Sequence, residues 1–146
     1  NPSVYEEDYD FKIGKAIELR EGTDLAILST GTMVFKAVAV ARILENQGVS
    51  SSVINFHTIK PIDKSMIEKV CNTSRLIVTI EEHNIIGGLG SAVAEHKSTL
   101  KNAPPQLLLG LPDSYGKANE YNHLMEEYGL TVDTITKKVM TAYKAL

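Results

Sequence analysis

The sequence has one cysteine and no tryptophan in 146 residues. Cys71 therefore has no internal partner, which excludes a disulfide scaffold. No Cys/His spacing suits zinc, and neither His-Glu-x-x-His nor Gly-x-Ser-x-Gly occurs, so the common metallohydrolase and serine-hydrolase signatures are missing. No window approaches the ~18 consecutive apolar residues of a membrane span. Positive charge is also sparse: 15 Lys and Arg stand against 18 Asp and Glu, a formal charge of −3, and no basic run is longer than Lys137-Lys138. Nucleic-acid backbones select basic patches, and this chain offers none in its sequence. The expectation is a soluble cytoplasmic protein with no nucleic-acid or membrane partner.

What is present fits one globular domain. Hydrophobic residues make up 43% of the chain, and a chain of this length buries roughly 68% of its extended surface on folding, enough for a core without staples. The opening is acidic: Glu6, Glu7, Asp8 and Asp10 precede the first basic residue, Lys12, with no initiator Met and no signal-peptide pattern. Residues 1–12 read as the remnant of a linker cut from a longer protein, and 13–146 as a single domain.

Past the arm, apolar runs rich in β-branched residues alternate with segments of helical period, the pattern of βαβ units and a largely parallel sheet. The fold class is α/β. Strands are predicted at 16–19, 25–29, 52–56, 76–80 and 106–109, the middle ones near-continuously apolar as strands covered on both faces must be. A first helix is predicted over 32–46, with Val34, Ala37, Val38, Ala41 and Leu44 on one stripe and Gly48 beyond its end. Asp63 is placed to cap a second helix reaching about Cys71, with Ile62 and Ile67 as its hydrophobic staple. A third is expected over 90–100, before Pro104-Pro105, and a fourth over 120–128. The fifth, 131–145, has Thr131 as its cap and Val132, Ile135, Val139, Ala142 and Leu146 as its buried stripe.

In open parallel sheets, ligands sit beyond the carboxyl ends of the strands. Several polar clusters fall there. Ser29-Thr30-Gly31-Thr32 leads from a strand into a helix, which suits an anion on free backbone N–H groups or, alternatively, a glycine-relieved turn with a threonine cap. His57 ends the next strand, and Glu81-Glu82-His83 ends the one after it. Two carboxylates and an imidazole suit acid–base work, a metal, or a structural or interface role. Adjacent strand residues point to opposite faces, so Glu81 and Glu82 cannot address one reacting atom while extended. Gly87-Gly88-Leu89-Gly90-Ser91-Ala92-Val93 half resembles a dinucleotide fingerprint, with Val93 in place of the third glycine and a late strand before it. A regulatory nucleotide-binding module and a tight turn with close helix–sheet packing both remain open on these residues. For Gly88 and Gly90, positive φ or close backbone approach is expected.

Three spaced motifs resemble a known family. They are Gly22-Thr23-Asp24-Leu25-Ala26-Ile27-Leu28-Ser29-Thr30-Gly31; Val53-Ile54-Asn55-Phe56-His57-Thr58-Ile59-Lys60-Pro61-Ile62-Asp63; and Glu81-Glu82-His83 with the glycine turn through Glu95. In order and spacing they are similar to the C-terminal domain of transketolase, of the short, split or animal-like type, over nearly the whole chain. The same domain in 1-deoxyxylulose-5-phosphate synthase or another thiamine enzyme is the alternative. The resemblance implies a three-layer α/β/α sandwich with a five-stranded mixed sheet, four strands parallel and one antiparallel. Strand 16–19 is the natural antiparallel member, since only the turn Glu21-Gly22-Thr23-Asp24 separates it from the next.

The resemblance further implies a parent that transfers a two-carbon ketol unit between sugar phosphates using thiamine diphosphate and Mg²⁺ (or Ca²⁺). Two preceding domains hold those groups, and the parent is a dimer. No catalytic, cofactor or metal role passes to this segment. His57, Asp63, Glu81, Glu82, His83, Gly87, Gly88 and Gly90 transfer only as turn or interface residues. After Gly110-Leu111-Pro112-Asp113, where the family often has Ser-Gly, this chain has Ala118-Asn119, and Asn119 retains a capping side chain.

Overall fold

The computed structural model describes residues 12–84, 87–111 and 121–146. The strands are β1 (Ile17–Arg20), β2 (Leu25–Ser29), β3 (Ser51–Asn55), β4 (Ile77–Asn84) and β5 (Gln106–Leu111). The helices are α1 (Met33–Asn46), α2 (Lys64–Thr73), α3 (Leu89–Lys97), α4 (Tyr121–Glu127) and α5 (Val132–Lys144). One five-stranded sheet runs in the order β1-β3-β2-β4-β5. β1 pairs antiparallel with β3, and every other pairing is parallel.

The alternation of side chains along each strand divides the core in two. Leu25, Ile27, Val53, Val78 and Ile80 form one cluster with the α1 stripe Met33, Ala37, Val40, Ala41 and Leu44 and with Ile135 and Val139 of α5. On the other face, Ala26, Leu28, Ile54, Phe56 and Ile77 pack with Ile67 and Val70 of α2 and Leu89 and Val93 of α3. This is the expected three-layer α/β/α arrangement. β2 is wholly buried because both of its faces are covered.

The short turn after β1 suggests a hairpin, but β1 and β2 are not neighbours: β3 lies between them. The chain crosses the start of β3 at Gly22, where a Cβ would collide with the Ser51 and Ser52 backbone. The crossing is tied down by Asp24 and Ser50. Asp24 N–H donates to Ser50 O at 2.8 Å, and Ser50 N–H donates to Asp24 Oδ2 at 2.7 Å.

Two predicted caps form as expected. Asp63 accepts from Met66 N–H at 3.1 Å, and Thr131 from Thr134 N–H at 3.3 Å. Ile62 and Ile67 lie in the same apolar cluster, as the staple requires. Thr32 precedes α1 but makes no side-chain cap. Leu146, assigned to the α5 stripe, is 45% exposed because the helix ends at Lys144. The capping role of Asn119 lies outside the described residues.

Candidate functional site

Chain order and sheet order together place the topological switch between β2 and β4: from β2 the chain moves to β3 on one side, and from β4 to β5 on the other. The clusters Ser29–Thr32 and Glu81–His83 therefore flank the crevice where a ligand would be sought. In this chain the side chains of Ser29, Thr32, Glu81 and Glu82 bond to other parts of the scaffold. Ser29, fully buried, donates from its hydroxyl to Ile80 O at 3.0 Å, tying β2 to β4. Gly31 takes φ +61°, which only glycine adopts freely, and Thr32 donates its hydroxyl to Glu82 Oε2. Thr32 thus links helix to strand instead of capping α1.

Glu81-Glu82-His83 does not lie at a turn. β4 continues through all three to Asn84, which pairs with Leu111 across a register shift after Ile80. The two adjacent acids are tolerated there because Glu81 and Glu82 meet opposite faces. Glu81 is 1% exposed. Its two oxygens accept separately from the first amides of α3, Leu89 N–H at 2.8 Å and Gly90 N–H at 2.7 Å. The carboxylate serves as a remote N-terminal cap, satisfying two donors that no residue within the helix can reach and placing negative charge at the positive end of the dipole. Glu82, half-buried, projects to the opposite face and meets Thr32. The side chain of His83 lies outside the described residues.

Gly90 explains itself sterically. A Cβ there would lie 2.9 Å from Leu108 Cδ2, 2.9 Å from Thr79 Oγ1 and 3.2 Å from Glu81 Oε2. Gln106 of β5 closes the same knot, donating to Gly90 O at 3.0 Å and Thr79 Oγ1 at 3.2 Å. Gly87 has φ +82°, and its N–H donates to Ser91 Oγ at 3.0 Å. Gly88 has no positive φ: at φ −95° it is extended and is the N-cap of α3. The left-handed turn residue is therefore Gly87, and the close approach belongs to Gly90.

Around Asp63 a second buried carboxylate is fully engaged. It accepts from Ala16 N–H at 2.8 Å, Ser65 Oγ–H at 2.9 Å and Met66 N–H at 3.1 Å. Burial alone would raise its pKa, but the two backbone amides, the Ser65 hydroxyl and nearby Lys15 outweigh it and hold the carboxyl below its ordinary range. Pro61 follows a cis peptide bond with Lys60. His57 lies past the end of β3, half-buried, with Nδ1 2.9 Å from Thr58 Oγ1. Lys36 of α1 donates to Leu130 O at 3.0 Å, and its burial lowers its pKa while Glu82 opposes that shift. No sequence signal marked Lys36 or Gln106; their roles follow from which helix lies over which strand.

Neither buried acid fits a thiamine cofactor. The aminopyrimidine of that group needs a carboxylate with a free oxygen, and Glu81 spends both of its oxygens on α3. Among the described residues no three His, Cys, Asp or Glu side chains stand together as metal ligands. The glycine turn is likewise a poor phosphate cradle, since the amides of Gly87, Leu89 and Gly90 already have acceptors. Among the described residues no helix is long and apolar enough to cross a membrane.

One antiparallel edge strand on a parallel sheet and two helix layers define a three-layer α/β/α domain. Residues 14–135 match the family model "Transketolase, C-terminal domain", and the chain belongs to that family. A protein of Methanocaldococcus jannaschii described as a transketolase C-terminal section is 38% identical over 139 residues, covering 95% of this chain and 43% of the relative. A 1-deoxy-D-xylulose-5-phosphate synthase of Chlorobium phaeovibrioides is 38% identical over 130 residues, covering 89% of this chain and 20% of the synthase. The solved structure of a split-gene transketolase, an inactive β4 tetramer, superposes with TM-score 0.89 at 36% identity over 98% of this chain and 46% of that one. The chain thus spans less than half the length of the relatives it matches.

Proposed function

We propose that this chain is the C-terminal domain of a thiamine-diphosphate-dependent transketolase that moves a two-carbon ketol unit between sugar phosphates in the cytoplasm, as in the pentose phosphate pathway. In this reading, residues 13–146 form the domain and residues 1–12 the linker to what precedes it. Thiamine diphosphate and Mg²⁺ (or Ca²⁺) are held by two preceding domains, in the same polypeptide or a separate subunit, and the parent is a homodimer. The observation that carries the reading is the bidentate engagement of Glu81 by α3, which commits the most buried strand-end acid to structure. The family match and the partial coverage of longer relatives supply the context.

The interface role expected for His57, Glu82 and His83 belongs to the same proposal. They border the strand-end rim, where a face of mixed polarity suits a neighbouring domain or subunit. Asp63, Glu81 and Gly90 serve this chain's own packing instead. The synthase reading keeps one observation in its favour, the 38% identity to 1-deoxy-D-xylulose-5-phosphate synthase.

The test is calorimetric titration of thiamine diphosphate with Mg²⁺ into this chain, followed by assays with the missing upstream portion added. The expected outcome is no binding by the chain alone and ketol transfer once the parts are joined. Micromolar binding or turnover by the chain alone contradicts the proposal, and formation of 1-deoxyxylulose 5-phosphate by the joined parts moves the assignment to the synthase.

A further inference from the structure

The sheet ends on two strands of different character. At one edge β1 is short and charged: Glu18 is paired with Lys69 at 2.9 Å, and Arg20 with Glu45. Charges of this kind keep an edge from adding another strand. At the other edge β5 reads Gln-Leu-Leu-Leu-Gly-Leu, without a charge or a proline, and among the described residues β4 is its one partner strand. We propose that this edge pairs with the same edge of a second copy of the chain, joining the two sheets antiparallel across a twofold axis at Leu108. The pairing does not depend on which reaction the parent catalyses.

The register of β5 on β4 fixes which backbone groups point outward. Ile77, opposite Gln106, donates from its N–H to Pro105 O at 3.0 Å, and in a parallel ladder a residue bonds to the two neighbours of its opposite number, here Pro105 and Leu107. By alternation Leu107 and Leu109 bond to β4, and the N–H and C=O of Gln106, Leu108 and Gly110 face away from it. Leu108 is the centre of that set. Antiparallel pairing about it sets the Leu108 residues of the two copies opposite each other and Gln106 of each opposite Gly110 of the other, every pair exchanging both N–H···O=C bonds. The side chains suit this register. Leu107, Leu109 and Leu111 join the cluster on the α1 and α5 side, while Gln106 and Leu108 turn toward α3. α3 lies against Leu108 at Gly90 but leaves the leucine 36% exposed, so a neighbouring strand has apolar surface to cover. Across the axis the two leucines meet within about 5.5 Å at Cβ. Gln106, engaged with Gly90 O and Thr79 Oγ1, is met by a glycine with no side chain to disturb it. No like charges are brought together, because residues from Asn102 to Leu111 carry none.

The experiment takes residues 1–146 from micromolar to millimolar concentration and reads mass by sedimentation velocity alongside amide hydrogen exchange. The expected result is a dimer that grows with concentration, with exchange at Leu108 and Gly110 slowing about tenfold or more while Leu107 and Leu109, bonded to β4, stay slow throughout. Leu108→Lys sets two ammonium groups together at the axis and should return the chain to a monomer with fast exchange at Gly110, slow exchange at Leu107 and Leu109 showing that the strand still forms. Glu18→Gln, at the β1 edge, should leave the dimer unchanged. A monomer at every concentration overturns the proposal, whether its Leu108 and Gly110 amides exchange fast or slowly. So does a dimer in which those two amides still exchange fast, or one that survives Leu108→Lys, since either places the contact on another surface.

Discussion

Glu81 and Glu82 are consecutive residues of one strand, and each reaches the start of a different helix. Glu81 is buried, takes two backbone amides at 2.7–2.8 Å and holds α3 against the sheet. Glu82 is half-buried and takes one exposed hydroxyl, that of Thr32 ahead of α1. Strand alternation alone separates them. The difference teaches that a pair of acids at strand ends becomes reactive or structural according to what its neighbours donate. Here the acid with the more protected environment is the more fully consumed.

The comparison breaks most visibly at Glu81. Glu81→Ala strands two buried donors, and unfolding by denaturant should show a loss of about 3 kcal/mol. Gly90→Val forces a side chain into Leu108 and Thr79, with an expected loss of about 2 kcal/mol, whereas Gly88→Ala should stay within about 0.5 kcal/mol because its backbone is extended. Equal effects at the two glycines would remove the steric account of the turn. Asp63→Ala should cost about 1–2 kcal/mol through loss of the α2 cap.

Asp63 also gives a pH signature. Its carboxyl is held below the ordinary value in the folded state, so its stabilisation is complete above the unfolded pKa near 3.8 and is lost as pH falls through the lower folded value. The stability gap between the natural chain and Asp63→Asn should therefore narrow only below about pH 4. The smallest effect belongs to Glu82→Ala, within about 0.5 kcal/mol, because an exposed contact gains little over water. A loss there matching that of Glu81→Ala would erase the contrast between the two faces.

Much of this was legible in the sequence. Apolar runs marked the buried strands, and Asp63 and Thr131 announced their helices because a cap is a local device, readable from a few neighbouring residues. The alternation argument also separated Glu81 from Glu82 correctly. What escaped depends on long-range placement. β4 runs on through Glu81-Glu82-His83 because helix amides and a threonine hydroxyl from other elements donate to the two carboxylates, and no local pattern records them. β1 joined β3 instead of β2 because the chain crosses the start of β3 at Gly22. Thr32 has the composition of a cap, yet Glu82, fifty residues away, takes its hydroxyl.

The central claim is that the strand-end acids build the frame and do not react. Its most direct test is Glu81→Gln in the enzyme assembled with its upstream portion, reading melting temperature and kcat together. The amide keeps the shape but replaces one acceptor oxygen with a donor facing an N–H, so the account predicts a melting temperature lowered by several degrees with kcat and its pH profile unchanged below the melting range. An unchanged melting temperature with kcat reduced a hundredfold or more would contradict it and make Glu81 a catalytic residue.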